Sequence, residues 1–174
     1  RELQVRTAYE LSRTRAWFEG AADEALDELR EAVRLAEALS SRELTIEGHM
    51  RVGTMLFNAG RLEQADEHLA LCTRLAENLG GRRDEARALT LLALVRYYRG
   101  ALDEAEELAS EAAVLLERLG DRHILLQNAR TLAKCALARG EAVDAELRLR
   151  EHLATANELG GWLLVEFHRY LAEA

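Results

Sequence analysis

Apolar residues recur along this chain at steps of three and four, the spacing of one face of an α-helix, and the pattern predicts a succession of amphipathic helices. From Ala21 to Leu39 the set Ala22, Ala25, Leu26, Leu29, Ala32, Val33, Ala36 and Leu39 keeps that phase. It returns as Leu62, Ala65, Leu69, Cys72, Leu75, Ala76 and Leu79, then as Leu102, Ala105, Leu108, Ala112, Leu115, Leu116 and Leu119. A fourth copy runs through Ala142, Ala145, Leu149, Leu153, Ala156 and Leu159, and Leu69 and Leu115 are expected core positions. Intervening segments run from about 2 to 19, 42 to 59, 82 to 99, 122 to 139 and from 162 to the end. The predicted class is all-α, with about nine helices joined by links of roughly two or three residues, short enough to force antiparallel helix pairs.

The copies are spaced by 40 residues: Gly20, Gly60, Gly100 and Gly140 fall at one phase, and Ala25, Ala65, Ala105 and Ala145 at another. Gly80, Gly120 and Gly160 close the other helices, where glycine accepts the left-handed conformation of a helix end; only Ser40 departs. We therefore expect residues 1–174 to form one repeat domain. Its units would be about 1–40, 41–80, 81–120 and 121–160, with a partial unit or capping helix at 161–174. Such units bury their apolar faces only against neighbours. The chain opens on Arg1 rather than methionine and reads as a segment of a larger protein.

Within each unit a small residue is followed by an aromatic, a glycine and two further small residues. The second unit has Gly53, Phe57, Gly60, Ala65 and Cys72, and the third has Ala93, Tyr97, Gly100, Ala105 and Ala112. In the first, Arg13 precedes Trp17, Gly20, Ala25 and Ala32; in the fourth, Ala133, Gly140 and Ala145 are kept but Leu137 and His152 depart. This pattern resembles the tetratricopeptide repeat in its longer form, found in bacterial signalling and transcription regulators. The resemblance implies a right-handed superhelix (solenoid) of antiparallel helix pairs, the first helix of each pair lining a concave face that binds proteins or peptides. The family's chaperone-tail clamp is not reproduced, because Met50 and Thr54 occupy its sites in the second unit.

Charge refines this picture. The formal net charge of -8 argues against a nucleic-acid partner. Acidic residues concentrate in the helices that follow the phase glycines, and the alternate helices are net basic. Either arginines simply answer the glutamates of neighbouring helices, or the groove is basic and its partner acidic. All the basic residues are Arg except Lys134. No run approaches the roughly 20 apolar residues that cross a bilayer, so we expect a cytoplasmic protein without a membrane partner.

On the groove-lining helices, the face opposite the small packing residues carries Met50, Thr54, Phe57 and Asn58, then Arg87, Thr90, Leu94, Tyr97 and Tyr98, then Gln127, Arg130 and Lys134. Trp17, Phe18, Phe167 and Tyr170 extend it at the ends. Arg87, Arg130 and Lys134 would hold carboxylates while the tyrosines cover apolar side chains. Tyr98 is the least repeated of these, with Phe18, Asn58 and Ala138 in its aligned slots. The last segment could leave an apolar end, with Trp162, Phe167, Tyr170 and Leu171 as a self-association contact. The alternative readings are a small-ligand sensor of a transcription regulator or signalling ATPase, and a self-association module.

Chemistry is not expected. Cys72 and Cys135 have no CxxC partner and read as buried thiols. The five histidines form no HExxH and no close pair in sequence, and no nucleophile or phosphate loop stands in a recognisable setting. The chain reads as a non-enzyme without metal or cofactor.

Overall fold

The computed structural model describes residues 1–15 and 22–174. Trp17, Phe18, Gly20 and the side chain of Arg13 lie outside the described residues. Among these residues nine helices occur and no strand: α1 (Glu2–Thr14), α2 (Ala22–Ala38), α3 (Arg42–Asn58), α4 (Leu62–Leu79), α5 (Arg82–Tyr98), α6 (Leu102–Leu119), α7 (Arg122–Ala138), α8 (Ala142–Leu159) and α9 (Gly161–Glu173). The boundaries of α3 to α8 fall within a residue or two of those predicted. They are fixed by the glycine links, since Gly60, Gly100 and Gly140 have φ of 72°, 80° and 79°. At Gly100 the reversal is tied by its own N–H to the Tyr97 carbonyl and by the Ala101 N–H to Arg96, each at 3.0 Å. Ser40 takes the same conformation at φ 55° without being glycine. Asp121 caps α7, its carboxylate accepting from the Ile124 N–H at 3.3 Å.

The helices form two compact units, Arg1–Ala88 and Leu89–Ala174. In the first, α2 packs on α1 and α3, and α3 packs on α4. Small residues set how closely they approach: a Cβ placed on Gly53 would lie 2.7 Å from Leu69 Cγ, so a larger residue there would separate α3 from α4. Ala65, Cys72 and Ala76 are fully buried in the same seam. At its other end Tyr9, also fully buried, donates its hydroxyl to the Leu44 carbonyl at 2.8 Å. Arg51 then bridges α1 and α3, donating to the Tyr9 carbonyl at 3.2 Å and to Glu10 at 2.7 Å.

In the second unit α7 is central, packing on α6, α8 and α9. Ala129, Ala133 and Ala136 of α7 meet Ala145 and Leu149 of α8 and Leu163 and Phe167 of α9. The fully buried Asn128 donates to the Ala109 carbonyl of α6 at 2.6 Å. Ala25, Ala65, Ala105 and Ala145, the second repeat phase, are all fully buried. Leu69 is 1 % exposed as expected for core, whereas Leu115 is half-buried and Leu116 carries the burial of that turn.

Two stability outcomes follow from this packing. Leu69→Ala should cost about 2–5 kcal/mol and Leu115→Ala distinctly less, measured by urea denaturation. Ser40→Gly should stabilise by roughly 0.5–1 kcal/mol, because glycine removes the left-handed penalty and the exposed serine side chain sacrifices no packing.

Candidate functional site

The second unit contains the one lysine of the sequence in an unusual place. Lys134 lies mid-way along α7, in the register slot occupied by Thr54 and Leu94 in the preceding units, and is 6 % exposed. Its ammonium donates to the Tyr98 hydroxyl at 2.8 Å. It also faces the rings of Tyr98 at 4.2 Å, Tyr97 at 4.6 Å and Tyr170 at 6.0 Å. The ring quadrupoles supply the negative potential that a counter-ion would otherwise give. None of the ion pairs among the described residues includes Lys134.

Local structure explains the cage. Tyr97 and Tyr98 occupy the last turn of α5, which the Gly100 reversal ends, and stand edge to face with ring centroids 5.2 Å apart. Tyr170 arrives from α9, where its neighbours Leu163 and Phe167 anchor the helix on α7 and α8. Burial pushes the Tyr97 and Tyr170 phenols up, Glu166 adding to the shift of Tyr170 while Arg169 and Arg130 oppose it, so both rings stay neutral at physiological pH. Tyr98 alone of the three is largely open, 52 % exposed.

One turn before Lys134, Arg130 lies over the Trp162 ring at 4.8 Å and 3.6 Å from Glu166. Glu166 is shared with Arg169 at 2.9 Å, and the Arg169 guanidinium covers Tyr170 at 4.3 Å and donates to its hydroxyl. The result is a continuous band of alternating cations and rings drawn from the end of α5, the middle of α7 and α9. The Glu166 and Arg169 contributions were not among the predicted residues. Their signal was the i, i+4 placement of Trp162 and Glu166 and the i, i+3 placement of Glu166 and Arg169 on one helix, legible only once α9 is set beside α7.

The remaining predicted residues are placed differently. In the second unit Thr90 is buried and Leu94 half-buried, and Gln127 bonds the His123 ring at 3.0 Å. In the first unit Met50 is buried, Phe57 half-buried and Asn58 exposed, while Thr54 returns its hydroxyl to the Met50 carbonyl at 2.8 Å. Arg87 is about half exposed and lies 3.8 Å from Asp84. Of the proposed end contact, Trp162 is 53 % exposed and Leu171 half-buried, but Phe167 and Tyr170 point into the unit's core. Many arginines do answer acidic neighbours, Arg139 meeting both Asp103 and Glu106 and Arg148 meeting Glu106 and Asp144.

A second cluster was missed in the sequence. His49 of α3 and His68 of α4 bring their Nδ1 atoms to 2.9 Å, and Glu37 of α2 stands 3.5 Å from His49 Nε2. His49 lies 11 residues before Gly60 and His68 only 8 after it, so the contact is offset from the symmetric register of the reversal and had no direct signal in the sequence. No group of three or more metal-ligating side chains occurs among the described residues. Cys72 and Cys135 are buried, which pushes their thiols up to about 12 and about 11 and leaves them protonated.

No protein-family model matches the sequence, and no curated protein matches it. Solved structures match its fold. A kinesin light chain with tetratricopeptide-like repeats from Podospora anserina superposes with a TM-score of 0.80 at 18 % identity, over 97 % of this chain and 84 % of that one. A signal transduction ATPase with a tetratricopeptide repeat sensor, from Pyrococcus horikoshii, gives 0.81 at 17 % identity over 95 % of this chain and 26 % of its own. The Rap conjugation gene regulator of plasmid pLS20, in complex with the Phr* peptide, gives 0.76 at 18 % identity over 89 % of this chain and 42 % of its own. The fold is therefore the all-α, tetratricopeptide-like repeat fold, and the chain spans less than half of the latter two proteins.

The histidine pair generates a pH prediction. Burial lowers both ring pKa values, His68 to about 4 with His49 and Arg30 adding to the shift, and Glu37 partly offsets the shift of His49. The unfolded chain thus takes up these protons first, so stability is full above about pH 6.5 and falls as pH drops towards 4, by at most about 1.4 kcal/mol per pH unit per proton. His68→Gln should flatten that slope between pH 6.5 and 5 in urea melts.

Proposed function

We propose that this chain is a protein- or peptide-binding module, the regulatory or scaffolding part of a larger cytoplasmic protein. In this reading the cation and tyrosine band of the second unit is its recognition surface. The observation that carries it is Lys134: a buried ammonium held by ring faces and one phenol, with no carboxylate of its own. Burying a charge without a counter-ion is costly. A carboxylate from a partner, an acidic side chain or a chain terminus, regains that cost on entering beside the ammonium. Tyr98 is the exposed member of the cage and its hydroxyl is the group such a carboxylate displaces. Arg130 and Trp162 then form a shelf for the partner's next residues, cation beside ring.

The likeness to repeat proteins solved with peptides supports this reading, since a Rap protein has also been solved with competence and sporulation factor.

Peptides selected from a random library against the chain should carry Asp or Glu beside an aromatic or large aliphatic residue. A selected peptide should bind Lys134→Met at least about tenfold more weakly, about 1.4 kcal/mol, and should weaken with added salt. Unchanged affinity would remove Lys134 from the site.

A further inference from the structure

The repeat supplies its own comparison for every surface position. At the second position of α2, α4 and α6 the residues are Asp23, Glu63 and Asp103, and one turn later come Asp27, Glu67 and Glu107, all exposed. In α8 those two slots hold Val143 and Leu147. The fold has not buried them: Val143 is 81 % exposed and Leu147 66 %. Three copies out of four show that the slots are solvated and accept carboxylates, so core packing does not account for an adjoining valine and leucine there. One turn apart on the helix, the two side chains form a single patch. Beside it lies an open depression bordered by Gly140, Glu141, Ala142 and Asp144.

The charges around the patch state what would cover it. Glu141, Asp144, Glu146 and Glu151 surround it, and the two arginines of the same helix are already engaged. Arg148 meets Asp144 at 2.5 Å and Glu106 at 3.1 Å, and Arg150 meets Glu146 at 2.6 Å. With Asp144 and Glu146 paired to these arginines, the rim keeps a net negative charge through Glu141 and Glu151. An apolar centre so rimmed is complementary to a segment that presents large aliphatic side chains flanked by Lys or Arg. We infer that the exposed face of α8 around Val143 and Leu147 is a second docking surface, for a basic amphipathic helix of a protein partner. It uses none of the residues of the Lys134 band, which lie on α5, α7 and α9.

The repeat also dictates the test. The double variant Val143→Asp, Leu147→Glu restores residues that other units carry in the same slots, so its thermal midpoint should stay near that of the wild type. The probe is a synthetic peptide of about 18 residues with Leu at three-and-four spacing and Lys elsewhere, labelled for fluorescence anisotropy. Its controls are a scrambled isomer and a version with Glu for Lys. We expect the helical basic peptide to bind the wild type and to bind the double variant at least about tenfold more weakly, with neither control binding comparably. The sign is diagnostic, because the variant adds two negative charges and a purely electrostatic association would tighten. Equal or tighter binding to the variant, equal binding of a control peptide, or no binding to the wild type would each overturn the inference. So would sedimentation showing a wild-type dimer and a monomeric variant, which would place a second copy of the chain on this face.

Discussion

Close approach between helices is the constraint from which this structure follows. A helix pair can bring its axes within the usual 8 to 10 Å only where side chains at the crossing are small. The chain meets that requirement at a fixed phase, with Ala25, Ala65, Ala105 and Ala145 fully buried and Gly53 in van der Waals reach of Leu69. Because the small residues take up so little of each face, the neighbouring leucines interlock across it, and the glycine links need only reverse the chain. Replacing these contacts by larger ones would not remodel the repeat; it would push the pairs apart.

Packing of this kind leaves polar groups inside, and they are handled in two ways. The Asn128 amide nitrogen and the Tyr9 hydroxyl each donate to a backbone carbonyl of another helix, which pins the register of each pair. Lys134 has no such outlet. Its positive charge is held by rings and a phenol rather than by a carboxylate, although acidic residues are plentiful on the neighbouring helices. A sequence this rich in glutamate could have paired it, and the arginines around it are paired. That contrast separates Lys134 from the structural ion pairs of the surface.

Much of the fold was legible in the sequence because the features that set it are local and repeated. Helix ends follow from Gly60, Gly100 and Gly140, and buried faces from three-and-four spacing. The errors were of one turn or less, as where Leu116 rather than Leu115 is the buried residue. The site was less legible because its members meet only through packing. Arg130, Lys134, Tyr97 and Tyr98 stand on the predicted groove helices, but the sequence does not show that Glu166 and Arg169 of α9 complete the band. Nor does it show that Phe167 and Tyr170, aromatic residues near the end of the sequence, turn inward. The His49 and His68 contact belongs with the site: it is offset by three residues from a symmetric hairpin register, and its 2.9 Å separation depends on rotamers.

One compositional oddity gains meaning from the site. Lys134 carries the only lysine amine in a sequence whose other basic residues are all arginine, and it is shut inside an aromatic cage. Acylating reagents that ignore guanidinium groups therefore have a single side-chain amine to report on within these 174 residues. Its rate of labelling is a direct clock for how often the Tyr98 roof stands open, a measure of the cage's dynamics that needs no partner in hand.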